Sequence, residues 1–352
     1  MPMCERQDAH LLGLGVNQEL ERRLAARWGM QYAVLMPSAT TGLMALGLAL
    51  ELRNKTFVTT PLTYGATAGA WLAIGARGHL ADVDADTLTL RPDAVWGARQ
   101  HRPAAVLAVS LFGMPVQDER LRRIADALGA WYVVDAAQAF GASLNGAPTG
   151  QLADAVVLSF TAGKTLDAGE GGAVLTNRRD IYERLIWVSQ HPYRQKRELG
   201  LHRVNEFAIN GRLHPNVARL VLAKLGKVDA RLARHRRRVR TLLRGLAGCA
   251  QFDVPGIPGG ADPSWLRVTA RVRHGAIKGA TQWVDDRLPS WSVDPLPVTP
   301  LYLQAGERDA LYGDAAVCPV AEREWQARVC FTPAGVSFSP SRDSRLTQGA
   351  VA

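Results

Sequence analysis

An acid and an amine follow apolar stretches near the middle of the chain. VVDAAQAFGA, starting at Val133, places Asp135 and Gln138 just past an apolar strand. SFTAGKTLDAGEGGAVLT, starting at Ser159, sets Lys164 five residues after Ser159, with glycines behind it. A carboxylate at the end of a buried strand can hold a ring nitrogen protonated, and a lysine on a tight turn can form an imine with an aldehyde. These are the two groups that pyridoxal 5′-phosphate (PLP) requires of a protein: a pyridinium partner and a Schiff-base lysine. Each residue also has a plainer reading. An Asp after a strand is often a helix cap, and a Lys beside Gly is often a solvated loop residue.

Three further stretches extend the chemistry. PSATTGLMAL, residues 37–46, puts small residues at the start of a helix, where backbone N–H groups, the helix dipole and the Thr40 hydroxyl can cradle a phosphate. An ordinary N-cap at Ser38 or Thr40 is the alternative. TPLTYGAT sets Tyr64 on a loop after a strand, either as an aromatic able to stack on a pyridine ring or as a half-buried surface residue. NEFAINGRLHPNVARLVLAKL supplies Asn210 and Arg212 ahead of a long helix.

The elements that must position these residues alternate. From about residue 18 to 190 the pattern predicts helix and strand in turn, as in an α/β domain with a mostly parallel sheet. NQELERRLAARWG reads as a helix ending at Gly29. YAVLMPS, TFVTTP, HLADVD, AAVLAVSLFG, WYVVDAA, AVVLSF and GGAVLTN read as strands, with TTGLMALGLALEL, ATAGAWLAIGA and DERLRRIADALG as helices. After about residue 210 one long helical segment is predicted over PNVARLVLAKLGKVDARLARHRRRVRTLLRGL, followed by the alternating strand WLRVTARV. The expected division is 1–225 for an N-terminal arm and large domain, 226–333 for a smaller α/β domain, and 334–352 for a polar, disordered tail.

The chain has 352 residues, which suits two lobes sharing a core. No apolar run approaches the roughly 20 residues of a membrane helix, and the N-terminal residues lack the apolar core of a signal peptide. Cys4, Cys249, Cys318 and Cys330 are scattered without a CxxC pair. That predicts reduced thiols in the cytoplasm and neither a zinc site nor a disulfide framework. Of the net charge of +10, much sits in RLARHRRRVRTLLR, where Leu232, Val239, Leu242 and Leu243 leave an apolar stripe. The segment reads as an amphipathic helix with a solvated basic face, without any nucleic-acid-binding motif beside it.

In this order the motifs resemble the DegT/StrS-like sugar aminotransferases, a branch of the fold-type I PLP enzymes, from about Gly13 to Pro333. DAAQ upstream of SF-x-x-x-K and GEGGA carries most of the likeness. The resemblance implies a large domain with a mostly parallel sheet flanked by helices, a smaller C-terminal α/β domain, and PLP as cofactor. It assigns Lys164 to the covalent bond with PLP and to proton shuttling, Asp135 to the pyridinium nitrogen, and Gln138 to the phenolic oxygen of the ring. Tyr64 would stack on the ring; Ala39, Thr40 and Ser159 would bind the phosphate. Asn210 would reach the phosphate of a neighbouring subunit, making the unit a homodimer with shared sites.

Several positions depart from the family pattern. Its Ser-Gly-Thr is Ser38-Ala39-Thr40 here, its His before a LYG-like turn is Ser110, and its His-Gly pair is His191-Pro192. The histidines of its C-terminal HYPxPxH-like segment are replaced by Val293 and Thr299, and the N-terminal arm is shorter. These changes leave PLP binding untouched, Ala39 still offering a backbone donor, and the lost histidines fall on the substrate pocket. The implied activity is transfer of an amino group from glutamate or glutamine to a keto group of a sugar nucleotide, an aminocyclitol precursor or a related ketone. The alternatives are another PLP reaction on an amino acid (elimination, racemisation, decarboxylation or carbon–carbon chemistry) and a non-catalytic PLP-sensing protein.

Overall fold

The computed structural model describes residues 9–200, 202–273, 290–303 and 318–333, so the expected disordered tail lies outside the described residues. Strands come first as β1 (Tyr32–Met36), β2 (Thr56–Thr59), β3 (Arg77–Leu80), β4 (Ala105–Val109) and β5 (Trp131–Asp135). The short β6 (Ser143–Leu144) and β7 (Ala147–Pro148) follow, then β8 (Ala155–Ser159) and β9 (Gly172–Thr176). Later come β10 (Phe252–Asp253), β11 (Ala261–Asp262), β12 (Val268–Val272), β13 (Trp291–Pro295) and β14 (Arg328–Pro333). The helices are α1 (Val16–Trp28), α2 (Ala39–Ala49), α3 (Ala66–Leu72), α4 (Pro92–Gly97) and α5 (Asp118–Leu128). They continue with α6 (Arg179–Ser189), α7 (Pro192–Leu199), α8 (Pro215–Leu225), α9 (Val228–Ala247) and α10 (Pro319–Ala327).

Seven strands form the large sheet, in the order β1-β9-β8-β5-β4-β2-β3. β9 pairs antiparallel with both its neighbours, and the other pairs are parallel, so six strands end at one edge. Helices cover both faces, which is why the strands read as continuous apolar runs. Tyr132 and Val134 of β5 pack on one face with Leu20, Leu24 and Trp28 of α1; Val133 packs on the other with Leu43 and Leu46 of α2. α1 stops where expected: Gly29 has φ 64°, and its N–H reaches the last carbonyls of the helix.

The long helical segment predicted after residue 215 is two helices. Gly226 and Lys227 form the break, with Lys227 N donating to Lys224 O at 3.1 Å in place of a bond four residues back. Glycine is a poor helix former, and the break re-aims the chain. Thereafter α9 runs from one core to another. Its Val228 and Leu232 bury against the large sheet, whereas Val239, Leu242 and Leu246 bury with Phe252, Val268, Trp291 and Phe331. The latter line a four-stranded antiparallel sheet, β10-β12-β14-β13. Beyond the break, the first turns of α9 still pack on the large core.

Residues late in the chain return to the large sheet. Leu296, Val298, Leu301 and Ala321 pack with Phe57 and Leu107, and Asp82 caps α10 by accepting from Val320 N and Ala321 N, each at 3.0 Å. Among the described residues no helix is long and apolar enough to cross a membrane.

Candidate active site at the carboxyl edge of the large sheet

The expected residues follow the carboxyl ends of β1, β2, β5 and β8, the edge where ligands bind in open α/β sheets. Asp135 ends β5 and is 5% exposed. Its Oδ2 accepts from Thr67 Oγ1 at 2.9 Å and its Oδ1 from Ala137 N at 3.0 Å. Burial raises the pKa of the Asp135 carboxyl, opposed by the Ala137 and Thr67 donors and by the Lys164 charge.

Lys164 lies on the β8–β9 connection, partly buried. Burial lowers its pKa and the Arg267 charge lowers it further, while Asp135 pulls it upward. The turn beneath it is shaped by Asp167, whose two oxygens accept from Gly163 N at 2.9 Å and Gly169 N at 3.0 Å. Lys224 Nζ donates to the carbonyl of Asp167. Its amine is therefore used in fixing the loop.

The amino end of α2 lies against the same connection. Ser38 Oγ accepts from Thr41 N at 3.0 Å, so Ser38 is the N-cap. Ala39 and Thr40 open the helix with N–H groups that have no acceptor inside it. Gly172 makes the approach possible: a Cβ there would lie 2.6 Å from Ala39 N. Ser159 ends β8, is buried, and donates from Oγ to Thr161 Oγ1 at 3.1 Å. Ser159 thus ends β8, Lys164 lies on the connection that follows it, and Ala39, beside Gly172 at the far end of that connection, opens α2.

Gln138 directs its amide oxygen to Phe112 N at 2.9 Å, leaving its NH2 as the donor end. Tyr64 sits on the loop after β2, 72% exposed, and its carbonyl accepts from Thr67 N at 2.9 Å. Ser110, where the family carries His, is fully buried and shares a 2.9 Å hydroxyl contact with Thr149. It packs inside the fold instead of facing a pocket.

Asn210 is not brought to the other residues by any hydrogen bond within this chain. It is exposed, has φ 55°, and lies on a segment running beside the end of α6. Nor does it cap α8; His214 does, accepting from Asn216 N at 3.2 Å. Sequence reasoning missed Thr67, Asp167 and Arg267. Thr67 and Asp167 carry a faint signal: Thr67 stands four residues after Thr63, one helical turn, and Asp167 three after Lys164. Arg267 carries none, because only the return of the small lobe brings it near Lys164.

A seven-stranded sheet with one antiparallel strand, an acid at a strand end and an amine on a later turn of the same edge define a fold-type I α/β protein. The sequence profile described as the DegT/DnrJ/EryC1/StrS aminotransferase family matches residues 7–345, and the chain belongs to that family. It is 32% identical over 230 residues to the UDP-2-acetamido-2-deoxy-3-oxo-D-glucuronate aminotransferase of Pseudomonas aeruginosa, 65% of this chain and 62% of that protein. The match thus spans less than two thirds of that relative's length. DesI, solved in the presence of its TDP-sugar product, superposes with a TM-score of 0.76 at 28% identity, covering 90% of this chain and 79% of that one. The sugar aminotransferase CalS13 from Micromonospora echinospora gives 0.78 at 26% identity, covering 90% and 86%.

Aminotransferases of this family depend on PLP. The donor set at the sheet edge fits that group. Asp135 is a buried carboxylate whose hydrogen-bonded partners are neutral, so a protonated ring nitrogen would complete it. The α2 amino end with its forced glycine contact suits a phosphate.

Proposed function

We propose that the chain is a PLP-dependent aminotransferase moving an amino group from glutamate or glutamine to a keto group of a sugar nucleotide, an aminocyclitol precursor or a related ketone. One observation carries the reading: a buried acid, Asp135 at the end of β5, and an amine, Lys164 on the β8–β9 connection, follow the carboxyl ends of neighbouring strands of the sheet.

Each residue has a stated task. Ala39 and Thr40 present N–H groups to the phosphate, and the Thr40 and Ser159 hydroxyls add donors. Tyr64 stacks on the ring face, and Gln138 donates from Nε2 to the phenolic oxygen. Asp135 holds the proton on the ring nitrogen. Burial and Arg267 favour the neutral Lys164 amine, the form that would bond to the PLP aldehyde with loss of water and, once displaced by the donor's amino group, would be free to move a proton at Nζ. When bound, PLP supplies an electron sink for bond breaking at the amino carbon.

The working unit is a homodimer in the cytoplasm, with Asn210 reaching the phosphate bound by the partner subunit. Phe207 is 95% exposed, and Trp187, Tyr193 and Ile209 are also exposed on the segments around Asn210. Apolar surface of this kind is what a second subunit covers.

Borohydride reduction of the holoprotein, followed by peptide mass spectrometry, is the direct test. The pyridoxyl adduct is expected on Lys164, and Lys164→Ala is expected to lose both the adduct and all amino transfer. An adduct on Lys224 would overturn the assignment.

A further inference from the structure

Residues 202–214 form neither helix nor strand, yet they carry Asn210, so side chains must supply the order that a ladder would. Two buried glutamines do so. Gln195, on α7 and fully buried, pairs with both main-chain groups of one residue. Asn205 N donates to its Oε1 at 2.8 Å, and its Nε2 donates to Asn205 O at 3.2 Å. The same Nε2 donates to Gln190 O at 2.8 Å, which ties α7 to the end of α6. Gln190, also buried, directs its Nε2 to Gly211 O at 2.9 Å. Backbone bonds strengthen that second end: Ile209 N donates to Val188 O at 2.9 Å and Gly211 N to Ser189 O at 2.8 Å.

The segment is thus fastened at 205 and at 209–211, and what lies between stands outward. Asn205 extends the first fastening, donating from Nδ2 to Trp187 O and accepting from Phe207 N at Oδ1, each at 3.0 Å. Beyond the second, Asn17 of α1, itself buried, donates to Leu213 O at 3.1 Å. Phe207 and Asn210 are exposed, so the crown of the segment is carried by its base. A side-chain amide offers donors and an acceptor on one stem, which lets it stand in for a neighbouring strand. Where it is buried, its loss leaves main-chain groups unpaired, and the chain it held is free to move. A side chain that must meet a ligand needs placing to within about half an ångström, which a short irregular segment does not achieve unaided.

We propose that Gln195 and Gln190 are positioning residues for the site of the partner subunit. They hold residues 205–211 so that Asn210 meets the phosphate bound across the interface. The proposal rests on the shared-site reading of Asn210. Its specific content is that a change at these glutamines, buried in one chain, is felt at the partner's Lys164.

Gln195→Met keeps the length of the side chain and removes the amide. In the holoenzyme it is expected to weaken PLP retention on dialysis by about 10- to 100-fold. Mixed with Lys164→Ala, it should regain activity, because the intact Lys164 of the heterodimer then receives Asn210 from a chain that keeps Gln195. Placed on one chain with Asn210→Gly, it should lose no more than Asn210→Gly alone. Gln190→Met should follow the same pattern. Asn205→Ala, whose lost bonds touch only this segment and the Trp187 carbonyl, should show a smaller loss with the same rescue, and it carries the test should a glutamine variant unfold. Rescue of Asn210→Gly by Lys164→Ala without rescue of Gln195→Met or Asn205→Ala would overturn the positioning role and leave the shared site standing. Losses that add in the double variant would overturn it as well. So would a weakened dimer, by sedimentation equilibrium, that accounts for the lost PLP. Failure to rescue Asn210→Gly itself, with subunit exchange demonstrated, would remove the shared site and the proposal with it.

Discussion

The hydroxyl of Thr67, on α3, donates to Oδ2 of Asp135 at 2.9 Å, and Thr63 shares a 2.8 Å hydroxyl contact with Thr67. A helix on one face of the sheet thereby steadies the acid at its edge. Burial raises the carboxyl pKa, and this donor is among the groups holding it down.

Thr67→Val keeps the shape and removes the donor. The Asp135 pKa should rise further, so the ionised form is lost at a higher pH and the acid limb of kcat/KM moves upward. Turnover at neutral pH should fall about tenfold or more, the usual weight of a hydrogen bond to a charged group. An acid limb that stays in place would show that Thr67 does not support the carboxylate.

Gly172→Ala and Gly69→Ala form a contrasting pair. A Cβ at Gly172 would lie 2.6 Å from Ala39 N and 2.7 Å from the Ser38 carbonyl carbon, so backbone must move. Overpacking of this kind costs about 1–3 kcal/mol, and the displaced α2 amino end should hold PLP less tightly. At Gly69, inside α3, a Cβ would meet nothing within 4 Å. That change should be neutral or stabilising by about 0.5–1 kcal/mol, since alanine is the better helix former. Thermal melts and PLP retention on dialysis separate the two cases.

The large lobe was legible because both faces of its sheet are covered. β1, β2, β4, β5, β8 and β9 all lie within stretches whose apolar runs mark them as strands, and Gly29 stops α1 where a glycine should. Asp135 and Lys164 were readable because strand ends and glycine turns leave local signatures. The break at Gly226 was less so: the apolar spacing continues through it, and only packing against two separate cores requires it. Arg267 and the Gln195–Asn205 pair depend on contacts between separate segments, which no periodicity records.

Asp118 gives a pH dependence of stability remote from the site. Burial raises its carboxyl to about 6, against the opposing donors Tyr132 OH, Gly150 N and Gln151 N. With the folded value above the unfolded 3.8, its contribution is complete at low pH and is lost as pH rises through about 6. Relative to Asp118→Asn, the wild type should lose about 2 kcal/mol between pH 4 and pH 7. Denaturant melts of both proteins across that window measure the difference. Parallel pH profiles would mean that the carboxyl ionises normally in the fold.

Asn210 tests the architecture most directly. Its side chain is exposed, and His214 performs the capping of α8, so Asn210 has no structural task there within its own chain. Its φ of 55° makes Asn210→Gly the clean variant, because glycine keeps that backbone without strain. On the shared-site reading, the Asn210→Gly homodimer loses most activity while its melting temperature hardly changes. Lys164→Ala is inactive for a different reason. Mixing the two should restore activity, since each heterodimer contains one site with Lys164 from one protomer and Asn210 from the other. Demonstrated subunit exchange without rescue would place Asn210 and Lys164 in the service of the same chain.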